Sequence, residues 1–260
     1  MSKVITMCVI ILTVCALVLG NHHWKQKISS AQEKQEDSNT EETAVKEEQP
    51  EWMAKAANLP APVKEKMKLA IENGKSLKIV AVGSESTSVQ STGWPALLKT
   101  SLQEAYGEEM FTLQVLSYPE GTTRTFINEN HGEEVNKLQP DILLFEPFSL
   151  NDNGSVGLEN TLKNVGEIVA DFKEKNPQAV IFVQPSHPIF NATFYPKEVD
   201  ALKEFVEGKE LTFLHHWEGW PDLKDEKIKS LLIEDQAAPN AEGNKIWADY
   251  LTKYFVKTAE

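Results

Sequence analysis

The chain has 260 residues, 41% of them hydrophobic and 8% aromatic, enough for a packed core in one α/β domain of roughly 100–250 residues with extensions. Its formal net charge of −13 argues against a nucleic-acid partner, because phosphate binding needs clustered Lys and Arg. The two cysteines, Cys8 and Cys15, lie close together near the N-terminus, so the remainder can build no disulfide, cysteine-ligated zinc site or cysteine nucleophile.

Val4 to Gly20 carries no charge and comes after Lys3. Residues 1–21 are therefore expected to be an uncleaved membrane anchor, with a cleaved signal peptide or a lipoprotein signal as alternatives. The rest of the chain is expected on the extracytoplasmic side, as in bacterial exported domains. Residues 22–51 are polar, and from Glu33 to Glu51 they hold eight acidic side chains against two basic ones. This stretch buries too little apolar area to fold and is expected to be a solvated tether.

Residues 52–260 alternate strand and helix signals. A lead-in helix is expected over 55–74. Strands are expected at 76–83, 111–116, 141–146, 179–183 and 211–214. Helices are expected at 94–106, 158–175, 197–207, 226–233 and 241–256; Pro95 suits a first helical turn, and Leu162, Val165, Ile168, Val169 and Phe172 fall at helical spacing. Short apolar strands separated by helices predict a three-layer α/β/α domain with a five-stranded parallel sheet of flavodoxin-like type. In such sheets sites form at the carboxyl ends of the strands. Those ends read Gly83-Ser84-Glu85-Ser86, Pro119-Glu120-Gly121-Thr122, Phe148 to Asn153, Pro185-Ser186-His187 and His215-His216-Trp217.

These turns resemble the motifs of the SGNH (GDSL) hydrolase family. IVAVG (79–83) runs into SESTS (84–88) where the family has Gly-Asp-Ser, and GWPALL (93–98) comes next. EGTT (120–123) is similar to the second motif and SLND (149–152) to the third. DQAAPNAEG (235–243) is similar to the last motif, Asp-x-x-His followed by Pro-Asn-x-x-Gly. The resemblance covers about residues 76–258. It implies a hydrolase acting through a serine nucleophile, with Gly121 N–H and Asn151 as oxyanion donors and Asp235 orienting a base.

The pattern departs from the family at both catalytic positions. Ala238 stands where the family has its histidine. Aligned without a gap, the nucleophile position falls on Glu85; a one-residue slip makes it Ser86, and Ser84 is a third choice. A serine without a base is a weak nucleophile, so His187 or His216, each at a strand end, is the candidate replacement. The same serines also suit an ordinary turn, His216 a satisfied buried position beside Trp217, and His187 a plain loop. Trp217, Trp220, Phe190 and Phe194 suit either core or a sugar-stacking surface.

Two functions are expected from these residues. One is an exported esterase acting on small acyl esters, with acetyl groups of cell-envelope polysaccharide as a substrate class. The other is a catalytically inactive relative that binds envelope glycans. Neither calls for a metal or cofactor: no His/Asp cluster has ligand spacing, and no phosphate-binding glycine motif stands after the first strand.

Overall fold

The structure is a computed structural model and describes residues 50–258. The expected anchor and nearly all of the tether lie outside those residues. Among the described residues no helix is long and apolar enough to cross a membrane.

Chain order is α1 (Glu51–Lys55), α2 (Ala61–Asn73), β1 (Leu77–Gly83), α3 (Trp94–Tyr106), β2 (Phe111–Ser117), α4 (Thr123–Asn128), α5 (Gly132–Lys137), β3 (Ile142–Phe145), α6 (Ser149–Asp152), α7 (Leu158–Lys175), β4 (Val180–Val183), α8 (Tyr195–Glu207), β5 (Thr212–Phe213) and α9 (Ala241–Phe255). Two 3₁₀ turns, His216–Gly219 and Glu226–Leu231, separate β5 from α9. The five strands are all parallel, in the order β2-β1-β3-β4-β5. The expected sheet is present, with β1 at its topological switch, flanked by β2 and β3.

Side-chain alternation explains the three layers. Ile79, Ala81, Ile142, Leu144 and Phe182 face Trp94, Leu98, Trp247, Leu251 and Phe255 of α3 and α9. Val80, Val82, Leu143, Phe145, Ile181 and Val183 face Val165, Val169 and Phe172 of α7 and Leu202 and Val206 of α8. Both faces of the central strands are covered, which is why they read as unbroken apolar runs.

Local chemistry moves several boundaries. The lead-in is two helices, because Pro60 and Pro62 interrupt the first and open the second. The expected helix over 226–233 is a 3₁₀ turn opened by Asp225, whose side chain accepts from Lys227 N. Helices α4 and α5 carry no periodic pattern long enough to read; α4 is fixed by a reciprocal cap between Thr122 and Thr125. In α9 the Asn240 side chain accepts from Glu242 N and Gly243 N, so the Pro-Asn-x-x-Gly stretch works as an N-cap. Gly243 is required by close approach: a Cβ there would lie 2.2 Å from the Leu231 carbonyl oxygen.

Candidate active site

The carboxyl ends of β1, β3 and β4 meet around one buried carboxylate. Glu146 stands directly after the apolar strand β3 and is 0% exposed. Its Oε2 accepts from Ser84 N at 2.7 Å and from Ser84 Oγ at 2.6 Å. The Ser186 hydroxyl donates to its Oε1. Burial raises the Glu146 pKa above its ordinary value, against the pull of these donors. Ser84 therefore joins strand ends, and its hydroxyl proton is committed to Glu146.

Ser86 has a different partner. Its Oγ lies 2.9 Å from His187 Nδ1. His187 Nε2 lies 2.9 Å from the Gln236 carbonyl oxygen. A carbonyl can only accept, so Nε2 carries the ring hydrogen and Nδ1 is left to take the Ser86 hydroxyl proton. Burial pushes the His187 pKa down to about 4, against smaller upward pulls from the Gln236 carbonyl and the Glu85 carboxylate. The imidazole is thus neutral near pH 7 and available as a base. Ser86 is 1% exposed and His187 0%.

His216 is occupied elsewhere. Trp220 Nε1 donates to its Nδ1 at 3.1 Å, and its Nε2 bonds the Pro185 carbonyl at 3.0 Å. The ring stacks on Trp247 with centroids 3.7 Å apart. Both nitrogens are used, so His216 has no lone pair for a serine; it is a packed, neutral core histidine. Asp235 is likewise removed from the base. It is exposed and caps its own turn, accepting from Ala237 N at 3.0 Å. This loop supplies His187 with the backbone carbonyl of Gln236 instead.

Of the two expected oxyanion donors, Gly121 N–H and Asn151, only Asn151 faces the site. Gly121 N–H donates to the Tyr118 carbonyl at 2.9 Å, so it is spent within its own turn. The neighbouring Glu120 N–H is the one that faces the site, donating to Glu85 Oε2 at 2.9 Å. Asn151 Nδ2 reaches the same oxygen at 3.1 Å and also bonds the Gly121 carbonyl at 3.0 Å. Asn151 is held from behind by the buried Asp152, which accepts from Thr123 N, Thr123 Oγ1 and Thr161 Oγ1 at 2.6–2.9 Å. Glu85, at the ungapped position of the family serine, thus rests its carboxylate between two converging N–H donors.

Three of these loops hold non-glycine residues in the left-handed region: Glu120 at φ 58°, Phe148 at φ 57° and Gln236 at φ 58°. Such residues each cost on the order of 1 kcal/mol and persist only where their surroundings hold them. Here they aim the Glu120 N–H and the Gln236 carbonyl and lead into α6, which carries Asn151. Among the aromatic residues, Trp220 is 8% exposed and belongs to the core, while Phe194 is 71% exposed. Among the described residues no cluster of three or more His, Cys, Asp or Glu could hold a metal ion.

Sequence reasoning missed Glu120, Glu146 and Gln236. Only Glu146 left a signal, a charged residue at the end of a wholly apolar strand. The other two act through backbone atoms, which any residue type provides.

No protein-family model and no curated protein sequence matches the chain. Solved structures do. A protein of the G-D-S-L family from Desulfitobacterium hafniense is similar at 16% identity and a TM-score of 0.56, over 69% of this chain and 99% of that one. An acetylxylan esterase from Geobacillus stearothermophilus is similar at 16% identity and a TM-score of 0.56, over 70% and 94%. An α/β hydrolase enzyme from the metagenome of Lake Arreo matches at 16% identity and a TM-score of 0.57, over 70% and 95%. The domain has an SGNH hydrolase-like fold.

Proposed function

We propose that this domain is an SGNH-type hydrolase of small acyl esters, with Ser86 as nucleophile and His187 as base. The observation that carries this reading is the 2.9 Å contact between Ser86 Oγ and His187 Nδ1, with Nε2 anchored on Gln236. It replaces the histidine missing at Ala238 with one from the loop after β4. Ser86 Oγ attacks the ester carbonyl carbon as its proton passes to Nδ1. The carbonyl oxygen, now negative, takes the Glu120 and Asn151 donors once Glu85 has left them. The alcohol departs with the proton from Nδ1. Water then attacks the acyl-serine, again through His187, releasing the acid and restoring Ser86.

Acetyl groups on cell-envelope polysaccharide are the substrate class we favour. An acetylxylan esterase among the structural neighbours supports it, as does the signal-like N-terminal sequence, which would place the domain on the extracytoplasmic side.

A specific observation favours a second reading, a non-catalytic domain that binds envelope glycans. Ser86 and His187 are buried, and a carboxylate already fills the oxyanion position.

The experiment that separates them treats the folded full-length chain with a fluorophosphonate, locates any adduct by mass spectrometry, and measures turnover of p-nitrophenyl acetate. Labelling confined to Ser86, lost in Ser86→Ala, supports the hydrolase. Absent labelling and turnover, with retention on wall polysaccharide, rejects it in favour of the binding domain.

A further inference from the structure

The donors that hold Glu85 form a cradle that does not depend on Glu85 for its shape. Asn151 is fixed through the Gly121 carbonyl and through its neighbour Asp152. The Glu120 N–H is aimed by its own left-handed backbone and by the adjoining turn, closed from Gly121 N to Tyr118 O. Both donors meet a single oxygen, at 2.9 and 3.1 Å, the arrangement a carboxylate or oxyanion selects.

The occupant is held loosely by comparison. Glu85 and Asn151 are half-buried and Glu120 is exposed, whereas Ser84, Ser86 and His187 beneath them are fully buried. Among the described residues Glu85 pairs with no cation within 4.0 Å. Two hydrogen bonds from uncharged donors, at a half-open position, are the ones that hold its carboxylate among the described residues, so rotation of the side chain uncovers the donors to solvent.

We propose that this cradle is an exchangeable site for a small carboxylate: Glu85 fills it at rest, and an external carboxylate takes the same two donors when Glu85 swings out. The chemistry it reads is a planar, singly negative carboxylate with a small substituent, such as acetate. This deepens the ester-hydrolase reading, since acetate is the product expected there and Glu85 is then an internal stand-in for it. The cradle itself requires no turnover. Glu85 competes intramolecularly, at an effective concentration on the order of millimolar, so external binding in the wild-type chain is weak.

The test uses full-length wild type, Glu85→Ala and the double variant Glu85→Ala/Asn151→Ala, with sodium acetate as probe and sodium chloride at equal ionic strength as control. Amide NMR shifts of Glu120 and of the Asn151 side chain report occupancy, and Tm reports binding by linkage. Expected is a saturable acetate response in Glu85→Ala, at least about tenfold weaker in wild type and abolished in the double variant. An unresponsive Glu85→Ala that keeps the wild-type fold overturns the proposal, as does equal binding by the double variant. Should Glu85→Ala not fold, wild type titrated to molar acetate decides, by shifts at Glu120 and Asn151 that chloride does not produce. Acetate binding without any ester turnover supports the cradle while rejecting the hydrolase; turnover without an acetate response overturns the cradle alone.

Discussion

The imidazole of His187 is tied to the backbone of Gln236, with Nε2 2.9 Å from the carbonyl oxygen. The stretch that resembles the last SGNH motif, with Ala238 at the histidine position, supplies an anchor for His187 through this carbonyl. The consequence is an imidazole whose Nδ1 is left to accept a proton from Ser86 while a neutral carbonyl steadies the ring.

That base sets a pH dependence. Burial lowers the His187 pKa from 6.5 to about 4. The unfolded chain takes up a proton near 6.5 and the folded chain only near 4, so stability falls as pH drops across that window and the contribution is constant below it. The same neutral imidazole makes the dyad competent down to about pH 4. We expect the acid limb of kcat/KM for p-nitrophenyl acetate near 4; a limb near 6.5 contradicts the burial of the base.

Replacing His187 should be far more damaging to activity than replacing His216, which lies in the turn after β5. His187→Ala is expected to lower kcat/KM by roughly 10²–10⁴-fold, with Ser86→Ala/His187→Ala little worse than either single change. His216→Ala should instead lower Tm, because it unpairs Trp220 Nε1 and the Pro185 carbonyl and opens space beside Trp247. Its activity per folded molecule should stay within a few-fold. Activity assays beside thermal melts separate the two; a catalytic collapse in folded His216→Ala would count against His187 as the base.

Glu146 is expected to matter through position. Glu146→Leu leaves Ser84 N–H and the Ser84 and Ser186 hydroxyls without their acceptor, at about 1–3 kcal/mol for each buried group. A Tm loss of roughly 10 °C or more is expected for a domain of this size. Glu146→Gln keeps the shape and removes the titration. Because burial raises the Glu146 pKa above 4.5, the folded chain holds that proton more tightly than the unfolded chain. That stabilisation is full below 4.5 and is lost as pH rises through the folded value. The Gln variant should therefore lose less stability than wild type as pH rises above 4.5, measured by denaturant unfolding.

Gly243→Ala should be poorly tolerated although alanine is the better helix former. Its Cβ would lie 2.2 Å from the Leu231 carbonyl oxygen and 3.0 Å from the Trp220 ring. Crowding of this kind costs about 2 kcal/mol or more, lowering Tm by roughly 5 °C. A melt equal to wild type would show that α9 shifts freely.

The strand and helix alternation between Leu77 and Phe255 was legible because apolar runs such as Ile79–Val82 and Ile142–Phe145 fit only a sheet covered on both sides. Locating the strands locates their ends, and with them the short list holding Ser84, Ser86, Asn151 and His187. Asn151 was legible through the likeness of SLND (149–152) to the third SGNH motif, which implies an asparagine side chain at that position. Gly121 misled because spacing cannot tell which of two adjacent N–H groups a turn consumes; the Tyr118 carbonyl takes Gly121 and leaves Glu120.

By itself the sequence determined the layered fold and the small set of polar residues gathered at one edge of the sheet, because periodicity and strand-end placement are local properties of the chain. It also put Ala238, a residue with no titratable atom, at the histidine position of the SGNH motif that residues 235–243 resemble. Only the tertiary structure decided which histidine meets which serine, because Ser86 and His187 are 101 residues apart and His216 is turned toward Trp220 and Pro185. It likewise decided that Glu85 rests on Asn151 and Glu120, a contact that joins the turns after β1 and β2 to α6, segments far apart in the chain.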